Sequence, residues 1–141
     1  MTTDTKMTPD EIENALAQYY GSENWYRYMM GMSITDGAKA MGDLCEAYWL
    51  LDVVASYQPE IRRKHSRLQE FQIWTLRFCP TDKLPNQAIV ECFSDSGEKA
   101  TISQTLEYAS FPKISAHDES FPGAVMKLYV ENNVIYLPSE R

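Results

Sequence analysis

The hydrophobic period of this chain changes at residue 71, and that change dictates the kind of fold open to it. Downstream, apolar residues alternate, as they do in a half-buried strand. Residues 71–79 (FQIWTLRFC) put Trp74, Leu76 and Phe78 on one face. Residues 88–93 read as a second strand, Ser94-Asp95-Ser96-Gly97 as a turn, and residues 100–108 as a third strand with Ile102, Leu106 and Tyr108 in phase. Consecutive strands with short links usually pair, so a meander is expected. Residues 109–123 form a long loop holding Phe111-Pro112 and Phe121-Pro122. Strands over 125–130 and 134–137 then flank Glu131-Asn132-Asn133, where asparagine tolerates the positive φ of a tight hairpin turn.

Upstream, the spacing is helical. Thr8, Pro9 and Glu11 form a capping box with proline at the first helical position, which predicts a helix over 9–20 that Gly21 stops. Thr35 and Asp36 offer N-caps to a second helix over 37–57. Met41, Leu44, Tyr48, Leu51 and Ala55 recur along it, and Ala40, Ala47, Leu50 and Val54 broaden the stripe. A helix apolar on most sides belongs in the core, and Pro59 is expected to end it. Residues 60–70, with Arg62, Arg63, Lys64 and Arg67, read as a basic surface connector. The expected architecture is α+β: two N-terminal helices, the second central and buried, packed on a four- to five-stranded antiparallel sheet. Residues 1–7 read as a disordered tail and residues 8–141 as one domain.

Charge and composition remove several function classes. The net charge is −7, from 20 acidic and 13 basic side chains, so approach to a phosphate backbone is unfavourable and direct nucleic-acid binding is not expected. The same acidity suits a basic protein partner. The apolar run at residues 47–51 stops at Asp52, far short of a membrane span, and the polar N-terminus is no signal peptide. Cys45, Cys79 and Cys92 are unclustered and read as free thiols in a reducing cytoplasm. His65 and His117 each lack a second ligand at metal spacing, and no nucleotide or hydrolase motif occurs. Neither a metal nor a cofactor is expected.

Residues 21–33 (GSENWYRYMMGMS) are too aromatic and too rich in methionine for a solvated linker. They must pack on the core or on a partner. Asp52 interrupts an apolar helix, so an ionised carboxylate there needs a partner, for which Arg27 is the candidate. Trp25, Tyr26, Arg27, Asp36, Tyr48 and Asp52 together offer aromatic walls, one guanidinium and two carboxylates. That set suits a small-ligand pocket, a protein interface, or the pinning of the connector onto the second helix.

Residues 21–27 (GSENWYR), Thr35-Asp36-Gly37, the 47–52 run (AYWLLD) and Leu137-Pro138-Ser139-Glu140 resemble, in order and over nearly the whole chain, a family of small bacterial and phage- or plasmid-borne proteins of unknown function. The resemblance implies a small cytoplasmic protein often carried on mobile DNA, and it implies no activity. Two functions stand as expectations. The first is a non-catalytic protein-binding module, in its sharper form a mobile-element-encoded inhibitor of a host defence system of the anti-CRISPR or anti-restriction type. The second is a small-molecule-binding protein or minor enzyme with a site around Arg27, Asp36 and Asp52. A homodimer through an open edge at Tyr129, Val134 and Tyr136 of the last hairpin is a further expectation.

Overall fold

The computed structural model describes residues 7–21 and 23–141. Apart from Met7, the tail expected over 1–7 lies outside the described residues. The capping box forms as the sequence dictates: Glu11 N–H donates to Thr8 Oγ1 at 3.2 Å and Thr8 N–H to Glu11 Oε1 at 2.8 Å. Helix α1 covers Pro9–Leu16, shorter than the expected 9–20, and buries Ile12 and Leu16.

The aromatic connector is not a connector. It contains strand β1 (Trp25–Arg27) and a tight reversal at residues 29–31, and it leads into β2 (Ser33–Thr35). Met30 and Gly31 both adopt positive φ, 58° and 73°, the geometry a two-residue hairpin turn requires. Arg62 holds this turn from below, donating to Met30 O at 3.1 Å and to Asn133 Oδ1 at 3.2 Å. One guanidinium therefore ties two hairpin turns together, and Arg62 is not a free surface cation.

The single helix expected over 37–57 is two helices, α2 (Asp36–Leu44) and α3 (Tyr48–Ser56). Glu46 breaks them apart at φ 52°. The break lets Tyr48 fold back onto α2 at Gly42, where a Cβ would sit only 2.9 Å from the ring. An apolar stretch that reads as buried on most sides thus serves two helices with separate faces. Pro59 does not end a helix either. It sits in the first turn of α4 (Gln58–Lys64), which α5 (Ser66–Glu70) follows. Proline is tolerated there because first-turn N–H groups have no partner within the helix.

The strands continue as β3 (Gln72–Phe78), β4 (Ala88–Phe93), β5 (Ile102–Leu106), β6 (Ala124–Glu131) and β7 (Val134–Tyr136). The meander β3-β4-β5 is present, and Asn132 and Asn133 make the β6–β7 turn at φ 53° and 63°. The sheet has seven strands in the order β1-β2-β7-β6-β3-β4-β5 and is mixed, because β2 pairs with β7 in parallel. The homodimer edge expected along the last hairpin is therefore absent: β2 covers β7, and the open edges are β1 and β5. Among the described residues no helix is long and apolar enough to cross a membrane.

Helices pack on the sheet face bearing Trp74, Leu76, Val90, Cys92 and Leu128. Between them lies a buried amide network. Gln58 and Gln72 exchange hydrogen bonds at 2.9 Å in both directions. Trp74 Nε1 donates to Gln72 Oε1 at 2.8 Å, and Gln58 Nε2 donates to Val54 O at 3.0 Å. Every polar atom of the pair has a partner, which a buried amide requires. The opposite face carries Ile73, Tyr129, Phe71 and Phe93, capped by Phe121 of the long loop.

Candidate functional site

Side chains of a strand alternate between the two sheet faces, and β1 applies that rule to the candidate residues. Trp25 pairs with Thr35 and Arg27 with Ser33, which places both side chains on the face away from the helices, in line with Val134 and Tyr136. Tyr26, paired with Ile34, points to the helix side, and Tyr28 follows it there.

On the helix side three tyrosines each hold a carboxylate. Tyr26 Oη donates to Asp36 Oδ1 at 2.8 Å, and Asn24 donates to Asp36 Oδ2 from its backbone and its side chain, both at 3.3 Å. Tyr48 Oη donates to Asp43 Oδ1 at 2.8 Å, while Lys39 bonds Asp43 at 3.3 Å and lies over the Tyr26 ring at 5.6 Å. Tyr28 Oη donates to Asp52 Oδ1 in a short hydrogen bond. The hydrogen bond from Tyr26 holds Asp36 below the usual carboxylate range, and the same bond raises Tyr26. Burial, then the bond to Asp43, pushes Tyr48 up to about 12. Burial and the Asp52 carboxylate push Tyr28 up as well. The phenols are thus fixed as donors at neutral pH.

The ion pair expected between Arg27 and Asp52 does not form. Asp52 is exposed, and its partner is Tyr28, one residue further along and on the opposite pleat. The i, i+2 spacing of Tyr26 and Tyr28 carries that information, since residues of one strand face share parity. The six candidates therefore divide. Tyr26, Asp36, Tyr48 and Asp52 lie on the helix side, with Tyr28 and Asp43 as members that sequence spacing alone did not single out. Trp25 and Arg27 lie on the open face.

The open face is where side chains are left without cover. Trp25 is 58 % exposed there, and at the rim of the same edge Tyr26, on the helix side, is 37 % exposed and Met29 and Met30 of the adjoining turn are 41 % and 46 % exposed. Beside Trp25 lies a cleft of about 340 Å³ walled by Thr35, Val134, Tyr136 and Glu131. Tyr136 Oη donates to Glu131 at 2.9 Å. The N-terminus of α2 closes this end. Glu140 accepts from Thr35 Oγ1 at 2.6 Å, Gly37 N–H at 3.0 Å and Leu137 N–H at 2.8 Å. A carboxylate suits a helix N-terminus, and here it latches the C-terminal segment to α2.

A second concavity, also about 340 Å³, lies between α1 and residues 114–117. Its walls include Leu16, Ile114, Val125, Met126 and Leu137. Glu13 and His117 meet at its mouth, Nε2 to Oε1 at 2.6 Å, and Ser115 N–H donates to Glu13 Oε2 at 3.0 Å. The imidazole contact, first, and the backbone donor hold Glu13 below its ordinary range. Nothing in the sequence joins residues 13 and 117, which only the fold brings together.

Fold and surface define a small α+β protein with a closed core and one aromatic, unguarded sheet edge. The chain belongs to DUF6876, a family of unknown function, matched over residues 10–141. No curated protein matches it, and no solved structure does.

Proposed function

We propose that the chain is a non-catalytic protein-binding module whose interface is the β1 edge. One observation carries the reading: all three residues of an edge strand, Trp25, Tyr26 and Arg27, are solvent-exposed while the other side of that strand is unpaired. Tryptophan, tyrosine and arginine are the side chains that dominate binding energy at interfaces. Exposed Met29 and Met30 add an adaptable apolar margin.

The net charge of −7 favours encounter with a basic partner. In its sharper form, the proposal makes that partner a basic nucleic-acid-handling protein and the chain a mobile-element-encoded inhibitor of the anti-CRISPR or anti-restriction type. Direct nucleic-acid binding has less to draw on than the 60–70 stretch suggests, since Arg62 is committed to Met30 and Asn133 and Arg67 pairs with Glu98. The test is affinity capture from expressing cells with the native chain and a Trp25→Ala/Arg27→Ala variant. The proposal expects capture that is lost in the variant while its thermal midpoint is unchanged. Identical capture by both chains would overturn it.

A second reading, a small-molecule site, is favoured by the apolar cleft with Glu13 and His117 at its mouth. A fragment screen by NMR tests it. Shifts confined to Ile114, Val125 and Leu137 are expected from binders, and a screen without them removes this reading.

A further inference from the structure

The hydrogen-bond phase of β1 says which backbone groups the open edge offers. Tyr28 N–H donates to Met32 O at 2.8 Å, so residues 28 and 32 are a hydrogen-bonded pair of the β1–β2 ladder. Such pairs recur at every second residue, which makes Tyr26–Ile34 the next one and turns the N–H and C=O of Tyr26 inward. The N–H and C=O groups of Trp25 and Arg27 therefore face outward, and no described residue takes them.

We propose that the occupant of this edge is a second copy of the chain, paired antiparallel about a two-fold axis at Tyr26. This rests on the reading of β1 as a protein interface and puts a second copy, in place of a basic protein, on that edge. The register follows from the strand itself. With Tyr26 opposite Tyr26 of the second copy, Trp25 meets Arg27 of that copy, and Arg27 meets its Trp25. Both are the residues whose backbone groups point outward, so each pair exchanges its N–H and C=O bonds in the ordinary way. Both side chains lie on the open face, where directly opposed residues are about 5 Å apart at Cβ. A guanidinium over an indole is an attractive pair, and the two-fold makes it twice. Beyond Trp25, the cleft walled by Tyr136 and Glu131 offers the incoming cation a carboxylate. The far edge has no such self-complement, because β5 reads Ile-Ser-Gln-Thr-Leu. Edges meant to stay single are often blunted by lysine or proline; β1 has neither, and its one charge, Arg27, is the residue this pairing uses.

Charge distinguishes this pairing from binding to a basic protein. Each copy carries −7, so screening favours the homodimer, whereas it weakens attraction to a cationic partner. The experiment is sedimentation velocity on the full chain across a concentration series at about 50 mM and about 500 mM salt. The native chain should dimerise, with an affinity that holds or rises at the higher salt. Arg27→Glu should weaken the dimer at least tenfold and leave the thermal midpoint unchanged at dilutions where both chains are monomeric, and Arg27→Lys should weaken it less. Tyr26→Cys, at a position where opposed Cα atoms lie about 4.5 Å apart, should cross-link on oxidation. Thr105→Cys on β5 should not. A native chain that stays monomeric at both salts, or a dimer that Arg27→Glu leaves intact, overturns the proposal. If the native chain is monomeric but its capture of another protein still depends on Trp25 and Arg27, the second copy is refuted and the interface survives. If that dependence fails too, both are refuted.

Discussion

Replacing Gln72 with leucine should destabilise the protein by about 3 kcal/mol, although the two side chains are similar in size. Gln72 is 3 % exposed and Gln58 2 %. The substitution removes the acceptor of the Trp74 indole N–H and of one Gln58 N–H, and the donor to Gln58 Oε1. Three buried polar groups lose their partners, and each such loss is worth about 1–3 kcal/mol. Leucine returns about 1 kcal/mol of apolar burial, and relaxation recovers part of the rest. Removing the other half of the amide pair should help: Gln58→Leu/Gln72→Leu leaves the Trp74 N–H as the principal orphan. The double variant should therefore be more stable than Gln72→Leu alone by about 1–2 kcal/mol, the sign expected when two partners are replaced together. Urea unfolding read by tryptophan fluorescence measures all three chains, and the single variant should melt roughly 10 °C lower. A Gln72→Leu change below about 0.5 kcal/mol, or a double variant no more stable than Gln72→Leu alone, would refute the network as drawn.

Three further outcomes follow from the packing. Leu51→Ala should cost about 2–5 kcal/mol in a denaturant melt, because Leu51 is fully buried between helix and sheet. Gly37→Ala should destabilise by about 1–3 kcal/mol, since the new Cβ displaces the Glu140 carboxylate from its hydrogen bonds to Thr35, Gly37 and Leu137; in a Glu140→Ala background the same change should be neutral or stabilising. Asp118 is held below the ordinary aspartate range by Lys127 and by Ser120 N–H. For Lys127, burial alone would lower the amine, and the hydrogen bonds to Asp118 and Tyr129 carry it upward instead. A depressed carboxyl contributes stability that is complete above its unfolded value and lost as pH falls through the folded one. Unfolding free energy should thus drop below about pH 4, and Asp118→Asn should flatten that drop in melts taken between about pH 5 and pH 2.5.

What the sequence made legible was local. The Thr8–Glu11 box, the Asn132-Asn133 turn and the alternation in β3 to β5 each depend on residues a few positions apart. They appear where short-range chemistry dictates. The parallel pairing of β2 with β7 joins residues about a hundred positions apart, and no local pattern encodes it. The helix break at Glu46 was hidden because α2 and α3 are both apolar, so their combined stripe mimics one buried helix. Of the site, the residue types were visible and their facing was not. Assigning Asp52 to Arg27 missed by one residue, and in a strand one residue is the other side of the sheet.

Site-specific photocrosslinking tests the claim that β1 is the interface most directly. A photoreactive phenylalanine analogue in place of Trp25, which keeps an aromatic ring at that position, samples the open edge in the full chain expressed in cells, and the same residue in place of Thr105 samples the far edge of the same sheet. The account predicts a discrete adduct from position 25, at twice the chain's mass for a second copy or at a partner's added mass otherwise, and none from position 105. No adduct at position 25, or the same adducts from both edges, would contradict it.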